Sequence, residues 1–364
     1  VELEVRGDDI ASFRDILGLP GTAEGPFSLD FSFEPGAGTG PDPGTYDRAT
    51  ARINSSLGTI ALDGNVSSDE RYAGSTALID LDGLNAAESL GILGLPGLGP
   101  TPYTVDGRIE IQAQGLSIER ADISGLYGVE ATASGLVGWK PLDGDSALSI
   151  ELTGSDLEQT LTPFGIEWPL ASAAFSLTSG VRATAAGIRL DELLLTVEES
   201  RLEADALIPL TADLAGLDVT MQAQGSELTD IFRPGEALDV PPGAWSIASH
   251  IRRVDSRLLM ENTRIALADL ELTGEATLPW PFEAGNGSFK VEGQGQDVTT
   301  VLPRLGAFEL GRQAFSLSAE AQVEEGTWLL QPSTVRLGDA SLALSGTVDR
   351  LPDFSRTNLD LDLE

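Results

Sequence analysis

The chain has 364 residues, with 41 glycines, 20 prolines and a formal net charge of −35 at pH 7 from 57 acidic and 22 basic side chains. Gripping a polyanion or an anionic membrane surface by charge needs clustered cations, so this balance argues against nucleic acid and against electrostatic membrane docking. With no cysteine there is neither a disulfide framework nor thiolate chemistry.

Val1-Glu2-Leu3-Glu4-Val5 alternates strictly and reads as a half-buried strand. Gly7-Asp8-Asp9 then offers capping side chains, and Ile10, Phe13, Ile16 and Leu17 form an apolar stripe at helical spacing. Gly18-Leu19-Pro20 ends that helix after about two turns, since proline cannot continue it. Period two returns at Phe27, Leu29, Phe31 and Phe33, and a Gly/Pro-rich loop follows from Pro35 to Tyr46. Two further strands are expected around Ala49–Ile53 and Ile60–Val66.

Later segments repeat this order. The expected helices are Ala86–Leu93, Leu157–Phe164, Leu228–Phe232 and Val298–Leu305. Asn358–Leu363 is strand-like, and both ends look cut from something longer. The most apolar run, Leu90–Pro100, is short and broken by Gly and Pro, too short for a spanning helix.

Three markers keep one beat. An aromatic–hydroxyl–aliphatic triplet occurs at Phe27-Ser28-Leu29, Tyr103-Thr104-Val105, Phe175-Ser176-Leu177, Trp245-Ser246-Ile247 and Phe315-Ser316-Leu317, at intervals of 76, 72, 70 and 70 residues. About twenty residues upstream stand Gly7, Gly83, Gly154, Gly225 and Gly295; downstream stand Gly64, Gly135, Ala204, Gly274 and Gly346. The chain is therefore read as one continuous repeat array: 1–74, 75–145, 146–216, 217–286, 287–356, and the start of a sixth repeat at 357–364. Each repeat is four strands plus one short α-helix.

Alternating strands in that number imply a mostly β fold: an elongated, curled antiparallel sheet with one apolar and one polar face. Pattern alone leaves two possibilities for the apolar face. It closes into an ordinary core, or it stays open as a trough and binds something apolar.

Catalytic constellations are missing. His250 is the sole histidine, no Gly-x-Ser-x-Gly elbow accompanies it, and it reads as a surface or strand residue. No His-Glu-x-x-His or phosphate loop occurs, Gly36–Gly40 reads as a loop, and Asp80–Asn85 reads as a cap and not a calcium loop. No enzyme, metal or cofactor is expected.

Gly7-Asp8-Asp9-Ile10 through Ile16-Leu17-Gly18-Leu19-Pro20 to Pro26-Phe27-Ser28-Leu29, and Arg336–Gly346, resemble the AsmA family, and the resemblance spans nearly the whole chain. Phe164-Gly165-Ile166 and Pro234-Gly235 depart from its Leu-Gly-Leu-Pro pattern. The resemblance implies a Gram-negative cell-envelope protein in the periplasm, held in the inner membrane by a segment outside this chain. It also implies a trough for phospholipid acyl chains in outer-membrane biogenesis, with other envelope proteins as possible partners. Some relatives are instead linked to outer-membrane protein assembly, so a structural or protein-binding β-rod is the rival expectation. On the trough reading the lipid-facing residues are Phe27, Leu29, Phe31, Ile60, Leu62, Tyr103, Val105, Phe175, Leu177 and Leu202. Trp245, Ile247, Leu270, Leu272, Phe315, Leu317, Leu342 and Leu344 complete the set.

Overall fold

The structure is a computed structural model. It describes residues 1–8, 25–35, 47–67, 72–86, 101–140, 145–162, 172–211, 214–230, 243–280, 287–300, 304–305, 308–309, 311–324, 327–348 and 358–363. The chain divides into two compact units, Val1–Ala185 and Ala186–Glu364, and the border falls inside the third repeat.

Unit 1 is a meander of ten strands: β1 (Glu2–Gly7), β2 (Phe27–Glu34), β3 (Asp47–Ser55), β4 (Gly58–Val66), β5 (Thr76–Gly83), β6 (Tyr103–Gln112), β7 (Gly115–Leu126), β8 (Val129–Gly138), β9 (Ser146–Gly154) and β10 (Phe175–Thr184). Each pairs antiparallel with the next.

Unit 2 continues with β11 (Gly187–Val197), β12 (Ser200–Ile208), β13 (Asp218–Gly225), β14 (Trp245–Val254), β15 (Arg257–Leu267), β16 (Leu270–Pro279) and β17 (Gly287–Gly295). A small hairpin of β18 (Arg304–Leu305) and β19 (Phe308–Glu309) stands apart, so β17 pairs directly with β20 (Phe315–Glu324). β21 (Thr327–Leu337), β22 (Ala340–Val348) and β23 (Asn358–Leu363) complete the meander. Apart from the β18–β19 hairpin, these strands belong to a single antiparallel sheet that does not close into a barrel. The antiparallel, mostly β architecture read from the period-two pattern is therefore what forms.

Among the described residues, helix is scarcer than the sequence suggests. α1 (Leu157–Leu161) is capped by Asp156, whose carboxylate accepts from the Gln159 N–H, and it buries Leu157. Of the helices expected at Leu228–Phe232 and Val298–Leu305, the described Leu228–Asp230 and Val298–Thr300 are 3-10 turns, and 231–232 and 301–303 lie outside the described residues. In the last repeat Arg304–Leu305 is strand, not helix; Pro303 cannot donate the bond that would extend the turn at Val298. The expected helix at 10–17 and most of that at 86–93 lie outside the described residues, as do the Gly36–Gly40 loop and the Leu90–Pro100 run.

Two of the three sequence markers have a direct structural cause. Each upstream glycine is the cross-strand partner of its aromatic: Gly7 opposite Phe27, Gly83 opposite Tyr103, Gly154 opposite Phe175, Gly225 opposite Trp245 and Gly295 opposite Phe315. A Cβ on any of these glycines would run into the ring beside it, so the aromatic occupies the space the glycine vacates. The downstream marker sits by a bulge. From the second repeat on, the third strand carries one extra residue (within Ile118–Ala121, Leu190–Leu193, Met260–Thr263 and Leu330–Ser333), opposite Gly135, Ala204, Gly274 and Gly346 or their neighbours. Such bulges bend a strand and strengthen its twist. Gly135 and Gly346 have φ of 130° and 133°, which side chains of L-residues rarely adopt.

Candidate apolar groove

Cross-strand registration turns the alternation of single strands into rows that cross the strands of each unit. In unit 1 one row runs Val5, Leu29, Ile53, Ile60, Leu81, Val105, Ile123, Ala131, Leu152 and Leu177, each directly opposite the next. In unit 2 the matching row is Leu195, Leu202, Ala223, Ile247, Ile265, Leu272, Gly293, Leu317, Val335, Leu342 and Leu363. No strand of either meander interrupts the apolar line.

A second row lies two residues further along every strand. In unit 1 it begins Leu3, Phe31, Ala51, Leu62 and Ile79, then narrows to Gly107, Ala121 and Ala133. In unit 2 it includes Met221, Ser249, Thr263, Gly274, Val291, Ala319, Ser333 and Leu344. The hydroxyls in it are satisfied locally, next to the bulges: Ser249 and Thr263 share a hydrogen bond of 2.9 Å, and Ser333 donates to the Gln331 carbonyl at 2.8 Å.

The sequence-derived residues fall into two groups. Leu29, Phe31, Ile60, Leu62, Val105, Leu177, Leu202, Ile247, Leu272, Leu317, Leu342 and Leu344 lie in these two rows, and every one is half-buried. The aromatics lie on the same face but at its margin, at the first residue of their strands. Phe175, Trp245 and Phe315 are buried there, Phe27 and Tyr103 half-buried. Leu270 is also buried, in a cluster with Phe315 and Val298 against which Leu272, Leu317 and Leu337 pack. The triplet aromatics and Leu270 therefore fasten strand ends and turn together, while the aliphatics beyond them form the broad surface.

Ile53, Leu81, Ile123, Leu152, Ile265 and Val335 complete the first row, yet the triplet search passed over them. Counting residue parity outward from each triplet through the hairpins would have found them.

Among the described residues no second layer covers these rows; the short turns stand only at the margin. In unit 2 the face is dimpled by a cavity of about 150 Å³ around Gly274, walled by Met260, Thr263, Ile265, Leu272 and Phe289. The opposite face is polar and ion-paired. Arg48 grips Asp63 with two hydrogen bonds, and Arg252 grips Glu261 with three. Hydrogen bonding to the guanidinium holds each of these carboxyls below the usual carboxylate range. His250 belongs to this face, with Nε2 2.8 Å from Asp218 and Nδ1 3.8 Å from Glu261. Among the described residues no group of three His or carboxylate side chains is arranged to hold a metal ion. A 660 Å³ concavity on the polar side of unit 1, bordered by Glu4, Asp30, Arg52, Asp63 and Asp80, carries mixed charge with Ala61 and Leu78 beside it.

No protein-family model, no curated protein and no solved structure matches this chain.

Proposed function

We propose that this chain shields the acyl chains of phospholipid along its apolar face, as a periplasmic segment of an AsmA-like envelope protein. The observation that carries this reading is the unbroken apolar row across every strand of each unit, with no covering layer among the described residues. A sheet with one apolar face is stable when something apolar lies on it. Contacts of this kind are non-directional and contribute about 0.8 kcal/mol per buried methylene, so a chain slides along the row without one preferred stop. The role is non-enzymatic and needs no metal or cofactor. On this proposal the inner-membrane anchor, the donor and the acceptor of lipid belong to parts of the envelope outside this chain.

A second reading, a purely structural or protein-binding β-rod, draws on the burial of Phe175, Trp245, Phe315 and Leu270, which serve strand-end packing. The two separate by native mass spectrometry of protein purified without detergent. Copurified phospholipid supports the conduit, and lipid-free protein over repeated preparations from a Gram-negative host would overturn it.

A further inference from the structure

The polar face of unit 2 dips over Ala248 into a hollow of about 300 Å³, the lower end of the volumes that hold small molecules. Registration sets its walls. Glu203, Gln222, Ala248 and Arg264 stand opposite one another in a line across β12 to β15, and Gln224 stands opposite Ser246 in the next line. Alanine is the short member, so the surface sinks between Gln222 and Arg264. Just beyond this pair, between Ala248 and His250, β14 and β15 shift register, and the bulge bends the strand beside the hollow.

Two of the walls are already engaged: Arg201 and Gln222 both hold Glu203, at 2.6 and 2.7 Å. Arg264 is not. It faces Ala248 on one side and Thr273 on the other, and among the described residues it makes no hydrogen bond or ion pair. Nor, among the described residues, do the side chains of Gln224 and Ser246. Repetition does not account for the arrangement. The equivalent line of the second repeat reads Asp80, Asp106 and Asp122, so the fourth holds an amide, a gap and a cation in place of three carboxylates.

This donor set suits an oxyanion. Arg264 offers a planar fork matched to the two oxygens of a carboxylate, and Ser246 and Gln224 add an O–H and an N–H donor. The Glu203 carboxylate and the Gln222 amide oxygen accept from hydroxyls. Two cations and one carboxylate leave the hollow with a single net positive charge. The whole chain carries −35, so each further negative charge on a ligand adds repulsion, and one charge is favoured over two. We infer that the hollow binds a small hydroxylated carboxylate of the sugar-acid class, its carboxylate on Arg264 and its hydroxyls towards Glu203 and Gln222. The site lies on the face opposite the apolar rows and stands independently of the lipid reading.

The test is isothermal titration calorimetry of the full chain with sodium glucuronate as the probe, and glucose and glucose monophosphate as comparisons. Glucuronate should bind, glucose should not, and the more highly charged phosphate should bind more weakly than glucuronate. Arg264→Gln should weaken glucuronate binding by roughly tenfold or more, as the loss of charge-assisted hydrogen bonds requires. Ala248→Leu fills the floor while keeping every polar group and should abolish binding. Arg336→Gln, on the polar face of β21, should leave it unchanged. Circular dichroism of each variant verifies that the strands persist. Absence of glucuronate binding at millimolar concentration overturns the inference, as does undiminished binding by folded Arg264→Gln or Ala248→Leu. Tighter binding of glucose monophosphate overturns the assignment to a singly charged carboxylate.

Discussion

The ring of Phe315 lies over the Cα of Gly295, its partner on the neighbouring strand, in the space a side chain would otherwise fill. The same pairing recurs in every repeat, which explains why two sequence markers twenty residues apart keep one beat. Overpacking a site of this kind costs about 1–3 kcal/mol. Gly295→Ala should lower the denaturation midpoint by a corresponding amount in urea titration. Gly311→Ala, where an added Cβ meets nothing within 4 Å, is the matched control and should change little.

Gly346 combines a φ of 133° with a place opposite the bulge of β21. A residue with a Cβ held in so sparsely populated a region costs about 1–3 kcal/mol. Gly346→Ala should therefore destabilise unit 2, read as earlier loss of the strand signal in circular dichroism on heating. An unchanged melting curve would show that the backbone relaxes out of this conformation.

Ser200 and Trp245 meet across Gly225, whose missing side chain leaves both polar atoms room to approach it. Both atoms are buried, and among the described residues neither the Ser200 hydroxyl nor the Trp245 indole N–H has a hydrogen-bond partner. Leu270 holds the place equivalent to Ser200 in the next repeat and packs against Phe315. Leaving a buried polar group unsatisfied costs about 1–3 kcal/mol, so Ser200→Ala should raise stability by up to about 1 kcal/mol. A loss of stability in the same urea titration would mean that the two atoms bond one another in solution.

The carboxyls of Asp63, Asp122 and Glu261 are held below their ordinary range chiefly by hydrogen bonds from Arg48, Arg120 and Arg252. A carboxyl lowered in the folded state contributes stability above its unfolded pKa, and that contribution is lost as pH falls through the folded value. Self-repulsion of a chain with net charge −35 acts in the opposite sense, because protonation relieves it. At low salt the denaturation midpoint should thus rise from pH 7 towards about pH 5, then fall below about pH 4 as the ion-paired carboxyls protonate. Glu261→Gln should flatten the acidic limb; an acid limb identical to wild type would remove this ion pair as a cause.

A charge in the second row should expel lipid without disturbing the polar face. Leu344→Asp should lose copurified phospholipid in native mass spectrometry, and Asp106→Asn, on the opposite face, should keep it. Circular dichroism of the same samples verifies that the strands persist. Equal lipid content in the two folded variants would count against the groove.

The order of strands, their alternation and the 70-residue beat were legible from single residues, because a half-buried strand must repeat its apolar side chains every second position. The helices were less legible. Val298 and Leu228 carry an apolar start, yet turns so short gain little from propensity, and proline soon removes the next donor. The polar role of His250 was also plain from its place among charged strand residues.

What the sequence could not supply was distance between residues far apart in the chain. Registration across the hairpins decided that Gly295 lies under Phe315, that Gly346 faces a bulge, and that Leu29, Ile60, Val105 and Leu177 belong to one line. It also decided that Phe175, Trp245 and Phe315 sit at the margin of the apolar face while Leu272 and Leu344 lie within it. Side-chain alternation is a local consequence of the pleat and is written in the sequence. The alignment of one strand's pattern with the next depends on turn lengths, bulges and rings filling the space over glycines, and only the folded sheet brings those together.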